Sequence, residues 1–351
     1  MLKKVLSEKL LMEKHSFYSE KELEKEAQRL YEKLKKTHFS LDECKERAAL
    51  TLEINRIKKE KNAVILAHSY QTPDIIYGVA DFVGDSLELS RQAAKTKAEI
   101  IVFAGVKFMA ETAKILSPKK TVLLPSVQAG CSLSESITAE DVKKMKKQFP
   151  NVPVVCYINT SAEVKAECDA CCTSANALQV VESFDSDKVI FLPDELMAQN
   201  IQNQTKKKII SWKGLCVVHK EFKAKDIEET KKRFSGVKIL VHTECSPSVV
   251  TLADFSGGTS GMINYAKTHL DESFMMVTEC GLSDRMKVEL PEKNFVGTCE
   301  LCPFMKKNNL ELILQVLKEP REEQIIEVPK EIRIKAKKAI DRMIKTKNLS
   351  D

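Results

Sequence analysis

The chain has 351 residues, 43% of them apolar, with few Gly and Pro and a formal net charge of +6. That length excludes a single small domain and suits two or three. No run of about 18 apolar residues occurs, which argues against a transmembrane helix, and no basic stripe interleaved with aromatics suggests nucleic acid, although a modest positive charge suits small anions.

The opening stretch, MLKKVLSEKLLMEKHSF, lacks a long apolar core and a cleavage pattern, so no signal peptide is expected. Eleven cysteines without a secretory signal point to a reducing cytoplasm, with thiols free, metal-bound or catalytic. The odd count also argues against a closed disulfide framework.

Residues 1–55 are rich in Lys, Glu and Leu. Leu23, Leu30 and Leu34 recur at helical spacing, and a second helical pattern runs from Leu41 to Ile57. These read as an amphipathic helical extension packed on the body. The texture then changes. Val- and Ile-rich runs at Ala63–Ala67, Ile100–Ala104 and Thr121–Leu124 alternate with helical stretches at Val83–Lys95 and Phe108–Leu116. Strand–helix alternation implies parallel strands with right-handed crossovers.

The same order then recurs twice. First strands end at Ala67-His68, Cys156-Tyr157 and Val241-His242, with helices opened by Asp85-Ser86, Thr173-Ser174 and Thr259-Ser260. Second strands follow at 100–106, 189–194 and 274–279, and third strands at 121–125, 208–212 and 294–298. After each third strand comes a cysteine: Cys131, Cys216 and Cys302, spaced 85 and 86 residues apart. A period that long denotes repeated domains, not a solenoid of short repeats. The expected architecture is three α/β/α units with parallel sheets, related by a pseudo-threefold axis, at 56–135, 136–220 and 221–303. Residues 304–351 read as C-terminal helices packing on the body.

In open parallel units, ligands bind beyond the carboxyl ends of the strands. His68 and Tyr70, Tyr157 and Asn159, and His242 and Glu244 occupy matching positions there. The helix starts add hydroxyl caps, free N–H donors and a positive dipole end, all suited to an anionic substrate. One thiolate from each unit, meeting on the axis, would make a metal or iron–sulfur site with one position left for substrate. Cys44 and Cys156 read instead as small buried hydrophobes. The C-x-x-C pairs Cys168/Cys171 and Cys299/Cys302 leave a structural zinc site open as an alternative.

Ordered blocks resemble the quinolinate synthase family: AHSYQ (67–71), GDSLELS (84–90), GVKFMAET (105–112), GCS (130–132), YINTSAEVKA (157–166), CCTSANA (171–177), GLCVVH (214–219), HTEC (242–245), ADFSGGTSGM (253–262) and CPFMKKNNL (302–310). The resemblance spans roughly 50–320. It implies three pseudo-threefold α/β domains around a [4Fe–4S] cluster. It also implies condensation of iminoaspartate with dihydroxyacetone phosphate to quinolinate, with release of phosphate and water, in NAD biosynthesis. Cys131, Cys216 and Cys302 would ligate the cluster; the Pro-x-Met that follows favours Cys302 over Cys299. His68, Ser86, Met109, Tyr157, Asn159, Ser174 and Thr259 would line the substrate pocket beside His242. Tyr70 and Glu244, with His242, would carry the acid–base work. L-aspartate oxidase would supply the iminoaspartate.

The sequence departs from the family at Thr243 (usually Pro), at Gly258 (usually Ser), in one extra residue between Gln71 and Gly84, and in an extension of roughly 48 residues outside the family core. Two other readings stand beside this one: a different iron–sulfur dehydratase on the same scaffold, and a non-enzymatic zinc or thiol-redox module. A disulfide between Cys299 and Cys302 would remove a cluster ligand and act as an oxidative switch.

Overall fold

The computed structural model describes residues 17–346. Its twelve strands form three separate four-stranded sheets. In chain order they are β1 (Ala63–His68), β2 (Phe82–Gly84), β3 (Ile100–Ala104) and β4 (Thr121–Leu123); β5 (Val154–Tyr157), β6 (Ala170–Cys172), β7 (Lys188–Leu192) and β8 (Lys208–Ser211); and β9 (Lys238–His242), β10 (Phe255–Gly257), β11 (Ser273–Val277) and β12 (Asn294–Phe295). The sheet orders are β2-β1-β3-β4, β6-β5-β7-β8 and β10-β9-β11-β12, and every pair within them is parallel. One topology thus occurs three times, with helices covering the sheets.

Each unit has four strands where three were expected. The additional edge strands β2, β6 and β10 have three residues each, too short for alternation to reveal them. The helix expected over Val83–Lys95 therefore begins at Ser86, after β2. In the second unit the helix begins at Ala177, not at Thr173. There the Thr173 N–H donates to Asn176 Oδ1 at 2.9 Å, folding the intervening residues into a turn.

Register makes the three units comparable residue by residue. His68 pairs with Gly84, Tyr157 with Cys172, and His242 with Gly257, each at the last position of its strand pair. Central strands are buried on both faces, so they read as nearly unbroken Val, Ile and Leu.

At the N-terminal side, helices Glu20–Leu34 and Leu41–Glu60 form a hairpin, each opened by a Ser–Glu capping box. Leu30, Leu34, Phe39 and Cys44 fill the hairpin. Leu50, Ile54 and Ile57 pack on the first sheet beside helix Leu310–Lys318. Arg29, Asn55 and Lys58 donate to the carbonyls of Tyr77, Gly78 and Val79, bracing the segment that leads into β2. The part of the expected extension before residue 17 lies outside the described residues. Helix Lys330–Lys345 packs against the second unit, where Asn176 Nδ2 donates to the Met343 carbonyl.

Candidate active site

The carboxyl ends of the three sheets converge on one cavity. His68, Tyr70, Ser86, Met109, Cys131, Tyr157, Asn159, Ser174, Cys216, His242, Glu244, Thr259 and Cys302 all line it. Every site residue named from the sequence is therefore brought to the same place.

Three layers of equivalent residues build the wall. The first comprises the strand ends and the residues two positions beyond. Tyr70 N–H donates to His68 Nδ1 at 3.2 Å, and Glu244 N–H donates to His242 Nδ1 at 3.3 Å. The same backbone turn thus orients both imidazoles. Burial, with a further push from His242 and Lys306, lowers His68 to about 3. Burial and His219 likewise lower His242 to about 3. Both rings are neutral near pH 7, and with Nδ1 accepting, the network assigns the proton to Nε2.

The second layer lies two residues past each edge strand: Ser86, Ser174 and Thr259. Ser86 and Thr259 open ten-residue helices, whereas Ser174 lies in the turn described above. Gly258, just before Thr259, makes a close approach that a side chain would block: a Cβ there would lie 2.4 Å from Ser174 Oγ. Ser174 Oγ thus fills the space that a side chain at position 258 would need.

The third layer is the cysteines. In each unit the first N–H of the helix after the third strand in sequence donates to the carbonyl two residues before the cysteine. The pairs are Lys107 to Ala129 (2.8 Å), Glu195 to Gly214 (2.9 Å) and Cys280 to Glu300 (3.1 Å). A single tether, used three times, presents Cys131, Cys216 and Cys302 to the cavity. All three are only partly buried, unlike the other free cysteines. Burial pushes the Cys131 thiol up to about 12 and raises the other two as well. A bound cation would reverse that preference and favour the thiolates.

His219 was missed as a site residue, although it ends the GLCVVH block. Its Nδ1 lies 2.9 Å from Glu244 Oε2 and 3.3 Å from Cys216 Sγ, and its ring stacks on His242 at 4.4 Å. Nε2 lies 2.9 Å from Thr278 Oγ1, which is 2.8 Å from the Tyr70 hydroxyl. Tyr157 donates to the other Glu244 oxygen at 2.6 Å. A buried chain therefore runs from Tyr70 through Thr278 and His219 to Glu244. Burial opposes charge on Glu244, but His219, His242 and the bonds from His219 and Tyr157 outweigh it, holding the carboxyl below its usual range. Burial raises both tyrosines well above theirs, so they are protonated donors. Nothing at sequence level marks Thr278.

The cysteine pairing differs from expectation. Cys299 is bonded to Cys280, not to Cys302, with Cα atoms 5.0 Å apart. The tether between Cys280 and Glu300 lays the two segments side by side and brings those sulfurs together, leaving Cys302 free. The disulfide thus involves Cys299 but not the cavity cysteine Cys302. The two C-x-x-C pairs form no shared metal-ligand set among the described residues: Cys299 is tied to Cys280, and Cys171 Sγ lies 3.6 Å from Cys156 Sγ between neighbouring strands. Among the described residues, one trio has ligand atoms within 4.8 Å of one another: Cys216, His219 and Glu244. The three cavity cysteines do not form such a set. Since a metal–thiolate bond is about 2.3 Å, one ion cannot reach all three. Soft donors and equal tethering suit an iron–sulfur cluster.

A family model described as "Quinolinate synthetase A protein" matches residues 52–345. A quinolinate synthase of Sinorhizobium fredii is 50% identical over 323 residues, covering 92% of this chain and 89% of that one. One from Caulobacter vibrioides is 47% identical over 327 residues (92% and 88%), and one from Xylella fastidiosa 49% over 291 (83% and 85%). The family model begins within the second helix, at residue 52, but the 323-residue match covers 92% of this chain. The expected extension thus lies outside the family core, while the match to that relative reaches into it.

Proposed function

Because this chain belongs to the quinolinate synthase family, we propose that its central cavity condenses iminoaspartate with dihydroxyacetone phosphate, releasing phosphate and water and closing the ring of quinolinate. One observation carries the assignment of the site: residues from all three units, chosen by position in a repeat, line a single cavity.

Cys131, Cys216 and Cys302 would hold the [4Fe–4S] cluster. When bound, it supplies an iron without a protein ligand, a Lewis acid for a substrate oxygen. The chain's own residues do the rest. Helix Thr259–Thr268 starts at Gly258, which offers no side-chain cap, so its first N–H groups remain available to a substrate anion. Ser86, Ser174 and Asn159 add polar contacts; Asn159 Oδ1 is buried with no protein partner, as expected of a group that meets substrate. Met109 and Phe108 supply apolar wall and help exclude water. The neutral His68 and His242 donate from Nε2 to substrate oxygens. Tyr70 gives or takes a proton at its hydroxyl and passes it along Thr278 and His219 to Glu244. L-aspartate oxidase as the supplier of iminoaspartate and a cytoplasmic location belong to the same proposal. No described helix is long and apolar enough to cross a membrane. The unit boundaries 56–135, 136–220 and 221–303 are proposed likewise, each enclosing one sheet and one cavity cysteine.

Anaerobic purification with iron, sulfide and zinc analysis, followed by a quinolinate assay with both substrates, tests this reading. About four irons per chain and quinolinate formation are expected. A second reading rests on the Cys216–His219–Glu244 trio holding one ion. It requires one zinc per chain and its retention in Cys131→Ser.

A further inference from the structure

A carboxylate accepts the cysteine N–H in two of the loops, Glu135 for Cys131 at 3.1 Å and Glu279 for Cys302, but only in the third does it come from the helix cap and pair with a lysine. The residues capping the helix after the third strand in sequence are Val106, Asp194 and Glu279 in the three units. Val106 has no polar side chain. Asp194 uses one oxygen to accept the Met197 N–H, and the other has no partner. Glu279, fully buried, spends both oxygens. Oε1 accepts the Cys302 N–H at 3.1 Å and lies 2.8 Å from Lys306 Nζ, and Oε2 accepts the Gly281 N–H at 2.7 Å.

Lys306 continues the connection by donating to the Tyr70 carbonyl. Gly281 packs against the same carbonyl so tightly that a Cβ there would lie 2.8 Å from it. Two more bonds seat this segment on the first unit: Gln71 Nε2 to the Met305 carbonyl (3.2 Å) and Asn308 Nδ2 to the Gly105 carbonyl (2.8 Å). We infer that Glu279 and Lys306 are positioning residues, an ionic clamp that holds the Cys302 loop and the Tyr70 segment in one fixed relation. The cluster ligand and the proton-transferring hydroxyl are thereby registered to each other across the first and third units.

The chemistry demands a carboxylate. Three donors converge on Glu279, and Gln would place an N–H₂ against one of them. Removing one member of a buried, hydrogen-bonded ion pair is strongly destabilising because its partner is left uncompensated. The clamp should therefore be read out as cluster retention, not only as turnover.

The inference rests on the proposed three-cysteine cluster, and the test separates the two. Holoenzyme is prepared anaerobically from wild type, Glu279→Gln, Lys306→Met, Lys306→Arg and Asp194→Asn, and iron release to a chelator is timed by the loss of cluster absorbance. Release on the order of tenfold faster is expected in Glu279→Gln and Lys306→Met, with far-UV circular dichroism unchanged. Substantial rescue is expected in Lys306→Arg, and a wild-type rate in Asp194→Asn. Wild-type release in either clamp variant overturns the clamp, as does equal acceleration in Asp194→Asn. If Glu279→Gln gives no folded chain, Lys306→Met decides by the same criterion. Wild-type enzyme that binds no iron instead overturns the cluster reading on which the clamp depends.

Discussion

Tyr70 and Glu244 reach the cavity from different units yet share one hydrogen-bonded chain. Replacing Tyr70 with Phe keeps the ring packing and removes only the hydroxyl that bonds Thr278 and Thr259. Quinolinate formation should fall about 10²- to 10⁴-fold in kcat, with KM little changed, in steady-state assays; wild-type turnover would remove Tyr70 from proton transfer. His68 and His242 make a second residue-scale prediction. Both are held down to about 3 by burial. Between roughly pH 6.5 and 3 the unfolded chain binds protons that the folded one refuses. Stability from these rings is therefore present above about pH 6.5 and lost as pH falls toward 3. Thermal melts should show Tm falling across that window, and His68→Gln should make the fall shallower.

At the scale of elements, helix starts and their neighbours decide the shape of the anion site. Gly258 and Ser174 occupy space that two side chains cannot share. Gly258→Ala should raise KM for the substrates several-fold more than it lowers kcat, and should cost about 1–3 kcal/mol of stability as an overpacked site. An unchanged KM would mean that the helix start does not meet substrate. The N-terminal hairpin acts on the next element along. Lys58 bonds the Val79 carbonyl and Asp81, and Asp81 in turn accepts the Ile65 N–H of β1. Lys58→Met should cost about 2–3 kcal/mol in denaturant unfolding, while turnover well below the melting temperature stays near wild type.

At the scale of the whole molecule, three tethered cysteines should be equivalent. Cys131→Ser, Cys216→Ser and Cys302→Ser should each lose most of the bound iron, measured per chain after anaerobic reconstitution. Cys299→Ser should retain it, because Cys299 is paired with Cys280 away from the cavity. Retention of iron in any of the first three would break the threefold reading. Much of this architecture was legible beforehand because the repeat carries matched landmarks: an apolar strand ending in His or Tyr, a hydroxyl after the next turn, then a cysteine. The short strands β2, β6 and β10 were not legible, because three residues cannot display a period. His219 lay in a recognised block but looked like any residue three positions after a cysteine. Thr278 and Glu279 had no mark at all.

Unit count and the near-constant spacing of Cys131, Cys216 and Cys302 were legible in the sequence itself, since hydrophobic periodicity and spacing are local properties repeated three times, whereas the choice of Cys302 over Cys299 rested on the family resemblance. Only the tertiary structure decided which groups touch. It joined Tyr70 to Glu244 through Thr278 and His219, drawing residues from separate units onto one axis. It paired Cys299 with Cys280, because a backbone bond between distant segments places those two sulfurs side by side. Such contacts arise from packing between units, and no local pattern along the chain encodes them.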